Sequence, residues 1–461
     1  MQTPRRTYLS AAIGALLASS SIYAGGFSLY TEGSGAAIGN YAAGIAAEAA
    51  DASTGWYNPA GLVLLDKQQA VFSGVGVFPS TKLTGSSTFA TTSPALPSYV
   101  QNFTDLDGGQ NAFVPAFHYA LPLNDRLTFG LSVVSPFGLS TEYSTTSPVR
   151  YAATFTELLT INVSPEFGAK ITDHFAVGAG LDWQWSQVKF NRMLGVPTLL
   201  QAFNLPPNQQ DSLSYNKGHS TGLGFHAGIM TMFNDNHTRI GLNYQSKMTH
   251  TYRGKIELRG PLADPDLADS QAILRSDALF SNQIQLPDVV TLSGYQDVNE
   301  KLALLGSVVY TGWSVFSKTQ LNNVAAFSPA AGQVIANSST PQNYNNAWRV
   351  ALGANYQVNE AFMLKGGLGY DGTPTNDADR DVRLPDADRY AVSVGGHYQY
   401  NHAIGLDLGY TYLFAKDTTR VNKTDPLGTT STYNVNATAK PHAHLVGLQA
   451  TWIMDEPAKT K

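Results

Sequence analysis

Phe175-Ala176-Val177-Gly178-Ala179-Gly180-Leu181-Asp182-Trp183-Gln184-Trp185 places an apolar or aromatic side chain at every second position and a small or polar one between. Successive side chains of a β-strand point to opposite faces, so this stretch reads as a strand with one oily face and one small, polar face. The same period runs through Leu127, Phe129, Leu131 and Val133, through Tyr390, Val392 and Val394, and through Ile404, Leu406, Leu408 and Tyr410. A soluble sandwich hides such faces in a shared core, but too many strands here need one. Membrane hydrocarbon is the partner that remains, and the small residues opposite suit a crowded lumen.

Working outward, β-rich segments begin near residues 69, 111, 126, 158, 174, 219, 238, 286, 301, 346, 361, 387, 402 and 440, fourteen in all. An even number allows an antiparallel barrel to close. Every second junction is a tight turn: Asn124-Asp125, Thr172-Asp173, Asn234-Asp235-Asn236, Asn299-Glu300, Asn359-Glu360 and Asn401-His402. The other junctions are long. Short turns on one rim and long loops on the other are the asymmetry of outer-membrane barrels, which predicts periplasmic short turns and both termini on that side.

Composition agrees. Charged residues are 14%, Gly numbers 42, and past the N-terminus no apolar run reaches the roughly 18 residues a membrane-crossing helix needs. A net charge of −5 without a basic cluster argues against nucleic acid as a partner, and zero cysteines excludes disulfides and thiolate metal sites. Residues 1–24 read as a signal peptide: Arg5-Arg6, an apolar stretch from Ala11 to Ala18, then Ser21-Ile22-Tyr23-Ala24, which leaves Gly25 as the mature start. A barrel must cross the inner membrane unfolded, which favours ordinary export over a twin-arginine route. Residues 25–66 do not alternate. They are rich in Gly and Ala yet carry Phe27, Tyr30, Tyr41, Trp56 and Tyr57, which predicts a small hatch of short helices filling the pore. The expected organisation is signal peptide 1–24, hatch 25–66, all-β transmembrane barrel 67–454 and a periplasmic tail 455–461.

Several short motifs recur in a definite order: Gly25-Gly26-Phe27, Asn58-Pro59-Ala60, Ser135-Pro136-Phe137-Gly138-Leu139-Ser140-Thr141-Glu142, Leu286-Pro287-Asp288, Thr311-Gly312-Trp313-Ser314, Trp348-Arg349-Val350-Ala351-Leu352-Gly353 and Leu384-Pro385-Asp386-Ala387-Asp388-Arg389-Tyr390. In these motifs, and across nearly the whole mature chain, the sequence resembles the FadL/TodX family of outer-membrane transporters for long-chain fatty acids and aromatic hydrocarbons. The resemblance implies a fourteen-stranded barrel with an N-terminal hatch, capture of ligand in an extracellular groove, passage to a tighter pocket and lateral exit at a kinked third strand. It places a basic residue that receives a fatty-acid carboxylate at Arg192, and it implies a lysine ahead of the Trp348-Arg349 strand. Residues 333–347 contain no lysine.

The gate is assigned to Asn58, Pro59, Ala60, Pro136, Phe137 and Gly138. Asn and Pro together make a turn in any protein, but here the turn lies in the hatch. Pro with Gly inside a strand breaks ladder hydrogen bonds, either as a bulge or as an opening in the wall. The ligand-binding set is Arg192, Phe27, and the oily loop residues Leu199, Leu200, Phe203, Leu274 and Phe280, since loops facing water seldom carry so much apolar surface unless they pack on one another or hold a ligand. Gly218-His219-Ser220-Thr221-Gly222 matches a hydrolase pattern without its strand-to-helix elbow, and His442 with His444 lacks a third metal ligand. The reading is therefore a non-enzymatic monomer without cofactor that passively takes up long-chain fatty acids or hydrocarbons, amid outer-membrane lipid and lipopolysaccharide. A general porin and an outer-membrane lipase are the rival classes.

Overall fold

The structure is a computed structural model that describes residues 26–264, 272–273, 275–327, 337–427 and 430–454. The signal-peptide expectation, the tail at 455–461 and the candidate Leu274 lie outside the described residues.

Fourteen antiparallel strands form a closed barrel. They are β1 (Gln69–Ser80), β2 (Ala112–Asn124), β3 (Leu127–Val134, resuming at Gly138–Glu142), β4 (Phe155–Thr172), β5 (Phe175–Leu194), β6 (Ser212–Phe233) and β7 (Thr238–Gln245). There follow β8 (Val289–Asp297), β9 (Leu302–Thr311), β10 (Ala347–Asn359), β11 (Phe362–Asp371), β12 (Arg389–Asn401), β13 (Ile404–Ala415) and β14 (His442–Ile453). Each pairs with the next, and Gln69 of β1 lies opposite Ile453 of β14, so the ring of strands closes.

The alternation sorts as the sequence predicts. In β5, Leu181 is 69% exposed and Trp183 47% exposed on the outer face, while Asp182, Gln184 and Ser186 are buried inside. Water does not wet so apolar an exterior cheaply, which is the condition of a barrel in lipid. Three of the short turns are closed by an asparagine side chain, and at another the His174 amide donates to Thr172 Oγ1. Asn299 Oδ1 accepts from the Lys301 and Leu302 amides, Asn359 Oδ1 from Ala361 and Phe362, and Asn401 Oδ1 from Ala403 and Ile404.

Two features exceed the expectation of fourteen strands joined by loops. The segments Leu83–Thr91, Tyr99–Leu106, Thr419–Leu427 and Ser431–Ala439 form a separate four-stranded sheet on the long-loop side, whose buried Phe89, Phe103, Val421 and Tyr433 pack with Tyr151 and Met193. Beyond β7 the chain continues as Arg253–Arg259, which pairs with both β6 and Arg275–Ser281.

Residues 26–66 carry four short helices, Ala36–Asn40, Ile45–Glu48, Thr54–Tyr57 and Pro59–Leu64, and they run through the barrel interior. Contacts arrive from strands all round. Gly35 donates its amide to Ser73 of β1, Gly44 to Ser307 of β9 and Ala46 to Ser293 of β8, while Thr411 of β13 donates to the Ile38 carbonyl. Glycines let the main chains meet: a Cβ on Gly409 would stand 2.6 Å from Gly39 N and one on Gly447 2.4 Å from Gly35 O.

Candidate functional site

The third strand breaks where Pro136 and Gly138 predict. The β2–β3 ladder runs from Asn124↔Leu127 up to Phe117↔Val133 and stops there. Beyond that point residues 112–116 of β2 keep β1 as neighbour but have no partner on β3. Residues 135–138 turn inward instead. The Leu29 amide donates to Pro136 O at 2.9 Å and the Gly138 amide to Phe27 O at 2.9 Å, so the head of the hatch takes the place that β2 would fill. The wall rejoins higher up, where Glu142 donates to Gly108 O and Gly109 bridges Thr141. A window in the ladder therefore lies between residues 112–116 and 134–138. Ladder bonds lost on the wall are partly recovered by the hatch.

Behind this window lies a packed apolar cluster, a chamber filled by the chain's own side chains. Phe27, 3% exposed, stands among Trp313 (ring centroids 4.5 Å apart), Phe316 (5.2 Å), Phe137 (6.2 Å) and Tyr344 (6.3 Å). Edge-to-face packing of this kind adds to ordinary area burial, and the chain's own Phe27 fills the space. Leu139, Leu158 and Val188 complete the lining. The neighbouring Gly26 amide donates to Asp386 Oδ2 at 2.9 Å, so a carboxylate of the Leu384-Pro385-Asp386 motif fixes the start of the described chain.

Arg192 lies near the end of β5, on the long-loop side of the outward Trp183 and Trp185. It lines a cavity of about 30 Å³ together with Phe190, Asn216, Leu321, Val324 and Arg383. Among the described residues its guanidinium makes no hydrogen bond or ion pair. Burial and the like charge of Arg383 push its pKa down to about 10. It thus stays charged at neutral pH, since its folded pKa remains well above 7. Arg383 donates to Ala152 O and stacks over Phe190 at 5.5 Å. Asp425 acts on both arginines, and burial raises its own pKa. Phe190 packs against the Phe27 chamber and also against the cluster of Leu258, Leu279 and Leu321, so the cationic cavity and the chamber share a wall.

Asn58, Pro59 and Ala60 are buried at the opposite end of the hatch. Asn58 donates from Nδ2 to Ala46 O at 2.7 Å and to Ile229 O of β6 at 3.0 Å, and its Oδ1 accepts from the Ala60 amide. One side chain thereby ties two hatch helices to the barrel wall.

The loop candidates do not join this site. Leu200 is buried in the helix Pro197–Ala202, whose neighbours are strands of the small four-stranded sheet, whereas Leu199 and Phe203 point outward, 42% and 69% exposed. Phe280 is likewise exposed and its neighbour Leu279 is the buried one. Sequence reasoning passed over Arg383 and gave no role to Trp313, although the latter stands in a motif that it quoted. A cavity of about 910 Å³ forms an outer trough over β11–β14, β1 and β2, lined by Phe72, Leu364, Val394, Leu408 and Leu448, and none of its lining residues belongs to the chamber. Ser220 lies within β6, where its hydroxyl donates to the Thr221 carbonyl and accepts from the Thr251 amide, with no histidine among its hydrogen-bond partners in the described residues.

A closed barrel with an oily exterior, filled by its own N-terminal segment and holding an aromatic chamber, defines a membrane channel that is plugged rather than open. The family model described as outer membrane protein transport protein (OMPP1/FadL/TodX) matches residues 15–453. The chain belongs to this family of outer-membrane transporters of fatty acids and hydrocarbons. It is 32% identical to an outer membrane protein of Neisseria meningitidis serogroup B, over 95% of this chain and 97% of the relative. It is 27% identical to the long-chain fatty acid transport protein of Salmonella typhi, over 87% and 90%. A crystal structure of a Pseudomonas aeruginosa FadL homologue superposes with a TM-score of 0.79 at 25% identity, covering 93% of this chain and all of that one. The Ralstonia pickettii toluene transporter TbuX shares the fold, with a TM-score of 0.57 at 17% identity over 88% and 94%.

Proposed function

We propose that this protein passively takes up hydrophobic molecules with an acidic head, long-chain fatty acids first among them, and releases them sideways into the membrane through the window between β2 and β3. The observation that carries this reading is the cationic cavity of Arg192 and Arg383 set against an aromatic chamber. Two like charges drawn together in a half-buried place, offset only in part by Asp425, favour the arrival of a further anion. The chamber suits a tail. Each buried methylene is worth about 0.8 kcal/mol, so a lateral exit into lipid avoids returning the tail to water, and no energy source is required.

In this account residues 25–66 are the hatch, the short-turn rim and both termini are periplasmic, and Phe27 leaves the chamber when ligand enters. Asn58-Pro59-Ala60 holds the hatch on the wall until then. The relatives named as fatty acid transporters support the acid. The toluene transporters that share the fold keep a neutral hydrocarbon as second reading, for which the oily chamber alone suffices.

Mass spectrometry of lipids retained through detergent purification tests the substrate class. Long-chain acids are expected in the extract. Retained alkanes or monoaromatics without acids would shift the assignment to the second reading, and a barrel that retains no lipid but conducts sugars would overturn both.

A further inference from the structure

Beneath the helix Thr54–Tyr57 the barrel wall carries three ionisable side chains with no exposure to speak of: Glu166 of β4, Asp182 of β5 and His226 of β6. His226 Nδ1 lies 2.9 Å from Asp182 Oδ1, which also accepts from Ser164 Oγ at 2.6 Å and Asn162 Nδ2 at 3.1 Å. His226 Nε2 lies 3.8 Å from Glu166 Oε1, too far for a hydrogen bond. By distance and angle neither Glu166 oxygen nor His226 Nε2 has a hydrogen-bond partner among the described residues, although Ser132 and the Gly55 main chain stand near enough to act on them. Groups this deeply buried are almost always satisfied, and a native exception calls for an explanation.

The hatch is the lid on this cluster. The Trp56 ring sits edge-on to His226 with centroids 5.5 Å apart. Gly55 approaches so closely that a Cβ there would stand 1.8 Å from Glu166 Oε2. On the wall side Gly180 makes room for His226 in the same way. The hatch residues over the cluster, Gly55 and Leu62 beside Glu166 and Trp56 beside His226, carry no charge, and no lysine or arginine acts on Glu166. The charged groups are thus two carboxylates and one imidazole. With both carboxylates ionised, the cluster keeps one net negative charge under the hatch even when His226 is protonated. Asp182 also lines a cavity of about 30 Å³ with Leu29, Trp56, Pro136 and Phe137, which places the cluster beside the third-strand window.

We propose that Glu166, with His226 and Asp182, is a positioning group for transport: its charge, buried by the seated hatch and wetted when the hatch shifts, keeps seating weak enough for ligand to dislodge it. The cluster opposes closure, where Asn58 favours it. Breaking or leaving unpaired a buried charge is the costly state, and hatch movement relieves it by admitting water. Acidification, which neutralises the carboxylate, seats the hatch more firmly, and loss of that proton loosens it. The inference rests on the reading above that the hatch moves.

The chain has no cysteine, so single cysteines report on the hatch directly. Ala52→Cys places a thiol at a hatch position that is 1% exposed, and Thr145→Cys supplies an exposed reference that cancels the intrinsic pH dependence of the thiol. The ratio of labelling rates by a methanethiosulfonate is measured on the full-length barrel from about pH 5 to about pH 8. In wild type the ratio is expected to fall about tenfold toward acid pH, and in Glu166→Gln to be low and flat. His226→Gln, which removes the only cation, is expected to label faster than wild type near neutrality and serves if Glu166→Gln does not assemble. Wild-type ratios at every pH in either assembled variant would overturn the proposal. Absence of labelling at residue 52 in all variants would instead overturn the moving hatch itself.

Discussion

Arg192→Ala is expected to weaken oleate binding by about 2 kcal/mol, roughly thirtyfold, and to leave oleyl alcohol within about twofold. A charge-assisted bond in a shielded cavity has that magnitude, and only the acid loses one. The loss is partial because the tail dominates: some fifteen buried methylenes at about 0.8 kcal/mol each outweigh any single head-group contact. Arg383→Ala is expected to cost about tenfold, since its guanidinium is held by Ala152 O and Phe190 and contributes chiefly by field. Arg192→Lys keeps the charge and loses the planar fork, so it falls between. Isothermal titration with acid and alcohol side by side checks all of this. Equal losses for both ligands would make Arg192 a packing residue.

Gly138→Arg is expected to cut uptake at least about tenfold in cells carrying equal amounts of folded barrel. A Cβ at this position meets Leu29 Cδ1 at 3.0 Å, so alanine asks only a small adjustment of a flexible side-chain end. A full arginine side chain drives Phe27–Leu29 off the broken third strand and brings charge into an apolar exit, which costs each passing tail a few kcal/mol. Gly138→Ala is the control and is expected to transport nearly as wild type. Because the Gly138 amide holds Phe27 O, the arginine variant also disturbs the chamber, and ligand affinity falls with uptake. Undiminished uptake in Gly138→Arg would mean that ligand leaves along the barrel axis past the hatch.

The barrel was legible because its two determinants are local. Period-two alternation in β5, β12 and β13 needs no partner to be seen, and five of the six short turns carry an asparagine while the sixth carries Thr172-Asp173. The third-strand break was legible for the same reason, since Pro136 lacks the amide that a ladder requires. The four-stranded sheet was not. Leu83–Thr91 is rich in Ser and Thr, and its partner Ser431–Ala439 lies at the other end of the chain, so their shared core of Phe89 and Tyr433 exists only after the barrel brings them together. Arg383 escaped for a related reason: it reaches Arg192 only through the path of the loop between β11 and β12. Among the oily loop residues, composition marked the segment but not the phase. One residue of helix register separates the buried Leu200 from the exposed Leu199.

This barrel is expected to pass hydrophobic acids and not general solutes. The direct measurement is oleate uptake by cells that lack their own transporter for it, with the chain supplied on a plasmid, beside sugar-driven swelling of liposomes holding the purified barrel. Saturable oleate uptake with no swelling is the predicted result. Swelling with sugars and no gain in oleate uptake would contradict the account and mark an open porin.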